Sequence, residues 1–152
     1  MDLRLDYDPE QQGADLVSVD GTLQYDGGLR TAIIISLFTD ARADDADALP
    51  TSDSDRRGWW ADTFAEIDGD STGSRMWLLS RAKQTDETLE LAQGYARAAL
   101  RWLIEDGIAS AVDVDTSWHA IGLMRLDVDL TRATDGAVAE RYTVFWNASY
   151  AV

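Results

Sequence analysis

The sequence predicts an α+β fold, a three-stranded (or slightly larger) antiparallel sheet with helices packed on one face. Two observations carry this. "TDETLELAQGYARAALRWLIEDG" repeats Leu89, Ala92, Ala96, Ala99, Leu100 and Leu103 at helical spacing. After it the period falls to two: Val112 and Val114, then Met124, Leu126, Val128 and Leu130, then Val138, Glu140, Tyr142, Val144 and Trp146. A sheet with one apolar face must be covered, and the helices are the available cover.

Taken in order, residues 1–26 form a short β start. Leu16, Val17 and Val19 alternate, Asp20-Gly21 turns the chain, and Leu23 and Tyr25 follow, which predicts a short hairpin or two edge strands. Gly27-Gly28 punctuates the entry to "LRTAIIISLFTDARA". There Leu29, Ala32, Ile33, Ser36 and Leu37 make one stripe and Ile34, Ile35 and Phe38 fill most of the rest. Its length and flanks predict a largely buried helix over 27–41. Residues 42–74 read as an acidic loop, interrupted by Pro50, that carries a paired-arginine, paired-tryptophan motif and a turn at Asp68-Gly69-Asp70.

A short helix is expected around Arg75 to Lys83. The long helix follows, within a helical region 75–107. Thr85 caps it, Asp86 and Glu87 suit the positive end of its dipole, and Gly107 stands at the terminator position, giving about six turns. Residues 108–148 form a β-meander, with Asp135-Gly136 turning its last hairpin. The 152 residues fit one domain, whose folding buries roughly 70% of the unfolded surface.

Composition excludes several functional classes. With no cysteine there are no disulfides, thiolate metal sites or cysteine nucleophiles, which fits an intracellular or particle-assembled protein. The N-terminus is polar and acidic, without the apolar region of a signal peptide, and the apolar run Ala32–Ile35 is far too short to span a bilayer. A membrane partner is not expected. Twenty-eight acidic residues against 13 basic ones give a formal charge of −15, which repels phosphate backbones and argues against nucleic-acid binding. All but one of the basic residues are arginines, a type suited to forked ion pairs with carboxylates.

The sequence shows no catalytic constellation, and neither an enzyme nor a cofactor is expected. His119 is the only histidine and reads as a solvent-facing turn residue. An EF-hand counted from Asp53 has Gly58 sixth but Arg57 fifth and Phe64 twelfth; counted from Asp68, Gly73 is sixth but Leu79 twelfth. Neither binds calcium in that mode. Gly27-Gly28 precedes a helix without a phosphate-binding lysine after it. Trp77, Trp102 and Trp146 read as core, and Trp118 as the end of a strand.

"SDRRGWWAD" is the segment left over, with Asp55, Arg56, Arg57, Trp59 and Trp60 as the candidate joint. Tryptophan and arginine are the types most enriched at interface hot spots. Adjacent residues of a regular element point different ways, so one tryptophan can be buried and its neighbour left outside. Two readings stand open: an arginine paired to a carboxylate at the core edge under a tryptophan lid, or a contact surface for a neighbour.

The succession "YDGGLRTAIIISLFTDARADD", "DRRGWWADTF", "GSRMWLLSRAKQT", "ALRWLIEDGIASAVDVD" and "RYTVFWNA" resembles the small baseplate protein family of Mu-like contractile-tailed phages and prophages over nearly the whole chain. That family is related to the sheath-initiator wedge proteins of contractile machines, in which a Glu-Pro-Arg loop follows the first helix. Here that tripeptide is absent, the prolines being Pro9 and Pro50, and the loop with Arg56 and Arg57 stands in its place. The resemblance implies a single baseplate wedge-type domain with a sheath-initiator-like fold. It implies a structural virion protein of the tail baseplate, assembled in the host cytoplasm. Its expected partners are other baseplate wedge proteins, tail sheath subunits and the central hub or tube, reached by protein contacts and by strand augmentation.

Two other classes compete. An acidic DNA-mimicking inhibitor is motivated by the charge, but the acids cluster in loops and the long helix carries Arg97 and Arg101 on its polar face. A metal-dependent hydrolase would have to use the aspartate clusters.

Overall fold

A computed structural model describes residues 2–8, 13–26, 29–65, 69–133 and 140–147. Gly27-Gly28, Asp68, the Asp135-Gly136 turn and Val138 lie outside the described residues. The predicted sheet is present, in the order β7 (Ala109–Ala120), β8 (Leu123–Arg132), β9 (Glu140–Asn147), antiparallel throughout. Central β8 turns Met124, Leu126, Val128 and Leu130 into the core, each at most 1% exposed. Val114 on one side and Val144 and Trp146 on the other complete the apolar face. His119 lies within β7 rather than in a turn, on the strand's exposed face, its ring edge-on to Phe145 at 5.0 Å.

Helix α2 (Asp86–Ala99) covers β7. The Thr85 hydroxyl accepts the Thr88 N–H at 3.2 Å, the expected N-terminal cap. Thr88, Ala92, Ala96 and Leu100 recur every four residues along the buried stripe, and the two alanines let the helix approach the sheet closely. Gln93 Nε2 donates to Val114 O at 2.5 Å and Thr116 Oγ1 to Leu89 O at 3.0 Å, fastening the helix to the strand.

The long helix is not continuous. It breaks at Leu100-Arg101 into α2 and a short α3 (Trp102–Glu105). Through the break the bonds run three residues back: Arg101 N–H to Ala98 O, Leu103 N–H to Leu100 O, Ile104 N–H to Arg101 O. This tightening buries Leu100 and Leu103 together and swings Trp102 Nε1 to Ser36 Oγ at 3.0 Å, a tertiary gain that periodicity cannot register. α3 ends as expected at Gly107, with Gly107 N–H on Ile104 O and Ile108 N–H on Leu103 O.

Helix α1 (Arg30–Phe38) matches the predicted buried helix, with Ile33, Ile34 and Leu37 in the core and Ile35 on the outside. The expected helix at Arg75–Lys83 is instead a 3₁₀ turn, Met76–Leu79. All four of its side chains are buried, so they must spread around the axis rather than form one stripe, and the tighter helix suits so short a piece.

The β start is more elaborate than a hairpin. β1 (Asp2–Leu3) pairs with β6 (Tyr25–Asp26), β2 (Leu5–Asp8) with β3 (Gly13–Leu16), and β4 (Ser18–Val19) with β5 (Thr22–Leu23). The three arms meet where Arg4 N–H donates to Gln24 O, Gln24 N–H to Val17 O and Val17 N–H to Arg4 O, a closed ring of 2.8–3.0 Å bonds. No backbone group at the junction is left unpaired by the switch of partners. Thr31 ties this module to α1, its hydroxyl donating to Leu3 O at 3.1 Å and accepting from Leu5 N–H at 3.3 Å, and Arg30 meets Asp6 at 2.7 Å.

Candidate interaction surface

Beyond α1 the chain runs beside residue 74. Ser74 N–H donates to Thr39 O at 2.8 Å and Ala41 N–H to Ser74 O at 3.0 Å, while Ser74 Oγ reaches Leu37 O at 2.6 Å. Gly73 makes this possible. Its φ of +106° is left-handed, and a Cβ there would stand 2.3 Å from Thr39 O.

The acidic loop that follows is largely exposed, as its composition suggests, yet it is pinned at several points. Ala43 is buried with Trp77 and Leu78, and its N–H donates to Arg56 O at 2.9 Å. The Arg56 guanidinium donates to the carbonyls of Asp44 and Asp45, the second at 3.0 Å. Arg75 forks onto the carboxylates of Asp44 and Asp47, the second at 3.0 Å, and lies 5.1 Å from the Tyr95 ring. Burial pushes the Tyr95 hydroxyl above its ordinary pKa, with Asp47 adding to it.

The structure divides the five candidate residues. Arg57 lies back along the surface of the domain: its guanidinium donates to Asp40 Oδ2 at 2.7 Å and lies 4.5 Å over Trp77, whose Nε1 donates to Ala41 O at 2.8 Å. Asp55 accepts the Arg57 N–H at 2.8 Å. Arg57 and Gly58 are both left-handed, with φ of +51° and +111°. For a non-glycine residue that is a strained state, held because the side chain is fixed at both Asp40 and Trp77. The reversal throws Trp59 and Trp60 outward onto the 3₁₀ turn Trp60–Phe64, none of whose residues is buried. The tryptophan lid over the arginine is therefore Trp77, from a different segment.

Asp40, Arg42, Phe64, Arg75 and Trp77 complete this region, and the sequence reading did not single them out for it. Arg75 and Trp77 stand together in "SRMWLL", which repeats the arginine–tryptophan pairing of the motif and was the available signal. Among the described residues no cluster of histidine, aspartate and glutamate is arranged to hold a metal, and no helix is long and apolar enough to cross a membrane.

The fold and this surface describe a small acidic α+β domain with exposed aromatic side chains beside a loop pinned by arginines. The chain belongs to the phage protein GP46 family, whose model matches residues 29–138. It is 44% identical over 131 residues to baseplate protein gp46 of Escherichia phage Mu, spanning 86% of this chain and 83% of that protein. It is 42% identical over 127 residues to the Mu-like prophage FluMu protein gp46 of Haemophilus influenzae, spanning 84% of each. The first of these relatives is named as a baseplate protein and the second as a protein of a Mu-like prophage.

Proposed function

We propose that this chain is a structural, non-enzymatic component of a contractile phage tail baseplate, a wedge protein of sheath-initiator type. It acts by protein–protein contacts and by strand augmentation, toward neighbouring wedge proteins, sheath subunits and the hub or tube. The observation that carries the reading is the 44% identity to a baseplate protein along most of both chains. The geometry supports it. Of the two edge strands, β7 is clasped by α2, with the Val114 carbonyl taken by Gln93. β9 is the other edge; among the described strands none besides β8 is hydrogen-bonded to it, although β2 lies close by. An extended arm of a neighbour adds to such an edge by main-chain hydrogen bonds.

Co-expression with the neighbouring baseplate and sheath proteins, followed by size exclusion, tests this. The chain is expected to co-elute in a defined complex, and a phage lacking it to assemble no contractile tail. Separate elution together with normal tails in its absence would reject the proposal.

A further inference from the structure

Trp59, Trp60 and Phe64 form an aromatic row on the outside of the domain, exposed to 42%, 72% and 77%. Consecutive ring centroids lie 6.1 and 6.3 Å apart. Trp59 and Trp60 border a shallow groove of about 360 Å³ lined also by Arg42, Arg57, Gly58, Asp62 and Thr63, with Phe64 next in the chain. The row is held in place from both sides. Behind it, Arg57 is anchored to Asp40 and Trp77 in a left-handed conformation. Ahead of it, Asp62 Oδ1 accepts the Thr72 N–H at 3.1 Å. Large apolar rings kept in water by a strained, doubly anchored backbone are a prepared contact rather than a packing remainder.

The charges around the row select its occupant. Of the two arginines in the lining, Arg57 is already paired with Asp40 and stacked on Trp77. Among the described residues no guanidinium lies over Trp59 or Trp60. Asp62 lines the groove and exposed Asp53 and Asp55 precede it in the same segment, within a chain of net charge −15. Indole faces attract cations, and the acidic field concentrates them. Arg42, the other arginine of the lining, makes no ion pair with a described residue and is a donor for main-chain carbonyls.

We propose that this groove receives an extended, arginine-bearing segment of another protein subunit. A guanidinium of that segment stacks on Trp60 beside Asp62, an apolar neighbour packs against Phe64 next to the groove, and Arg42 holds a backbone carbonyl. The inference rests on the reading that the chain works through protein–protein contacts, and it names the chemistry of one partner.

Two measurements separate the inference from that reading. The first titrates the purified full chain, at physiological ionic strength, with a short synthetic peptide alternating arginine and valine, and with its glutamate counterpart. Indole N–H resonances are followed by NMR. The Trp59 and Trp60 signals are expected to shift with the arginine peptide. Affinity should fall by roughly tenfold in Trp60→Ala/Phe64→Ala, which has the same net charge and changes only exposed side chains. Equal binding by that variant, equal binding of the glutamate peptide, or shifts confined to other indoles would overturn the proposal.

The second compares wild type and the double variant in the co-expression assay. Complex formation by the wild type alone supports the groove as a docking site, and equal incorporation of both overturns it. If the wild type joins no baseplate complex but the peptide result holds, the baseplate reading fails and the groove stands.

Discussion

The sheet and the loop of residues 40–65 use the same residue types in opposite ways. In the sheet, arginines pair with carboxylates: Arg141 with Asp129 and Arg125 with Asp127 at 2.9 Å on the solvent face, and Arg132 with Glu140 at 2.6 Å at the end of the apolar face. They decorate a surface whose position is already fixed by the backbone ladder and by the buried row on β8. In the loop there is no ladder beyond the contact at Asp40 and Ser74. There Arg56 and Arg75 tie down backbone carbonyls and carboxylates, and Arg57 threads between Asp40 and Trp77. An ion pair laid over a hydrogen-bonded sheet is nearly redundant, whereas one that closes a loop substitutes for the missing regular structure.

The most severe break in the comparison is Leu126→Ala. Leu126 is fully buried on the central strand, and its truncation is expected to cost about 3–5 kcal/mol, read as a lowered urea midpoint for the whole domain. If the midpoint moves by less than about 1 kcal/mol, β8 is not the keystone of the core.

Arg57→Ala should cost less, about 1 kcal/mol, because the side chain is partly exposed. Its signature is local. Amide exchange across residues 41–58 should accelerate while the core strands keep their protection. Arg57→Gly removes the same contacts but relieves the positive φ, so it is expected to match or exceed the alanine variant in stability. A clearly less stable glycine variant would show that the left-handed backbone is not under strain.

The smallest effect belongs to the ion pairs of the sheet. The hydrogen bond from Arg141 holds the Asp129 carboxyl below its ordinary pKa, and Arg132, joined by Tyr142, does the same for Glu140. Burial pushes Asp127 up, but hydrogen bonds from Thr143 and Arg125 and the charge of Arg125 outweigh it, so it too is lowered. With folded values below the unfolded ones, the unfolded chain binds more protons in acid. These groups therefore stabilise the fold above the ordinary carboxylate range, and the contribution is lost as the pH falls through the folded values, below about pH 4. Acid titration of Arg141→Ala should show a shallower loss of stability over that window than the wild type. Identical acid profiles would mean that the Asp129 pair contributes nothing.

What the chain order reveals follows from how each element is stabilised. β8 and α2 were legible because burial on one side forces a period of two or of about four, and Thr85 and Gly107 mark the helical region's ends with their own chemistry. The break at Leu100-Arg101 was not legible, since Ala99, Leu100 and Leu103 fit one continuous helix and the tighter turn is decided by Trp102 finding Ser36. The three-armed β start was not legible either. Its strands are two to four residues long, and which arm pairs with which depends on the ring of bonds joining Arg4, Val17 and Gln24.

The candidate surface divides along the same line. Its composition alone set Asp55, Arg56, Arg57, Trp59 and Trp60 apart from the rest of the chain, and the order of motifs along the chain was enough to indicate the family. Which way each side chain turns was decided only in three dimensions. Arg57 faces Asp40 and Trp77, residues 17 positions before and 20 after it. Local sequence fixes periodicity, caps and turn chemistry because those act between near neighbours. The anchored arginine and the exposed tryptophans depend on partners that only the folded chain brings together.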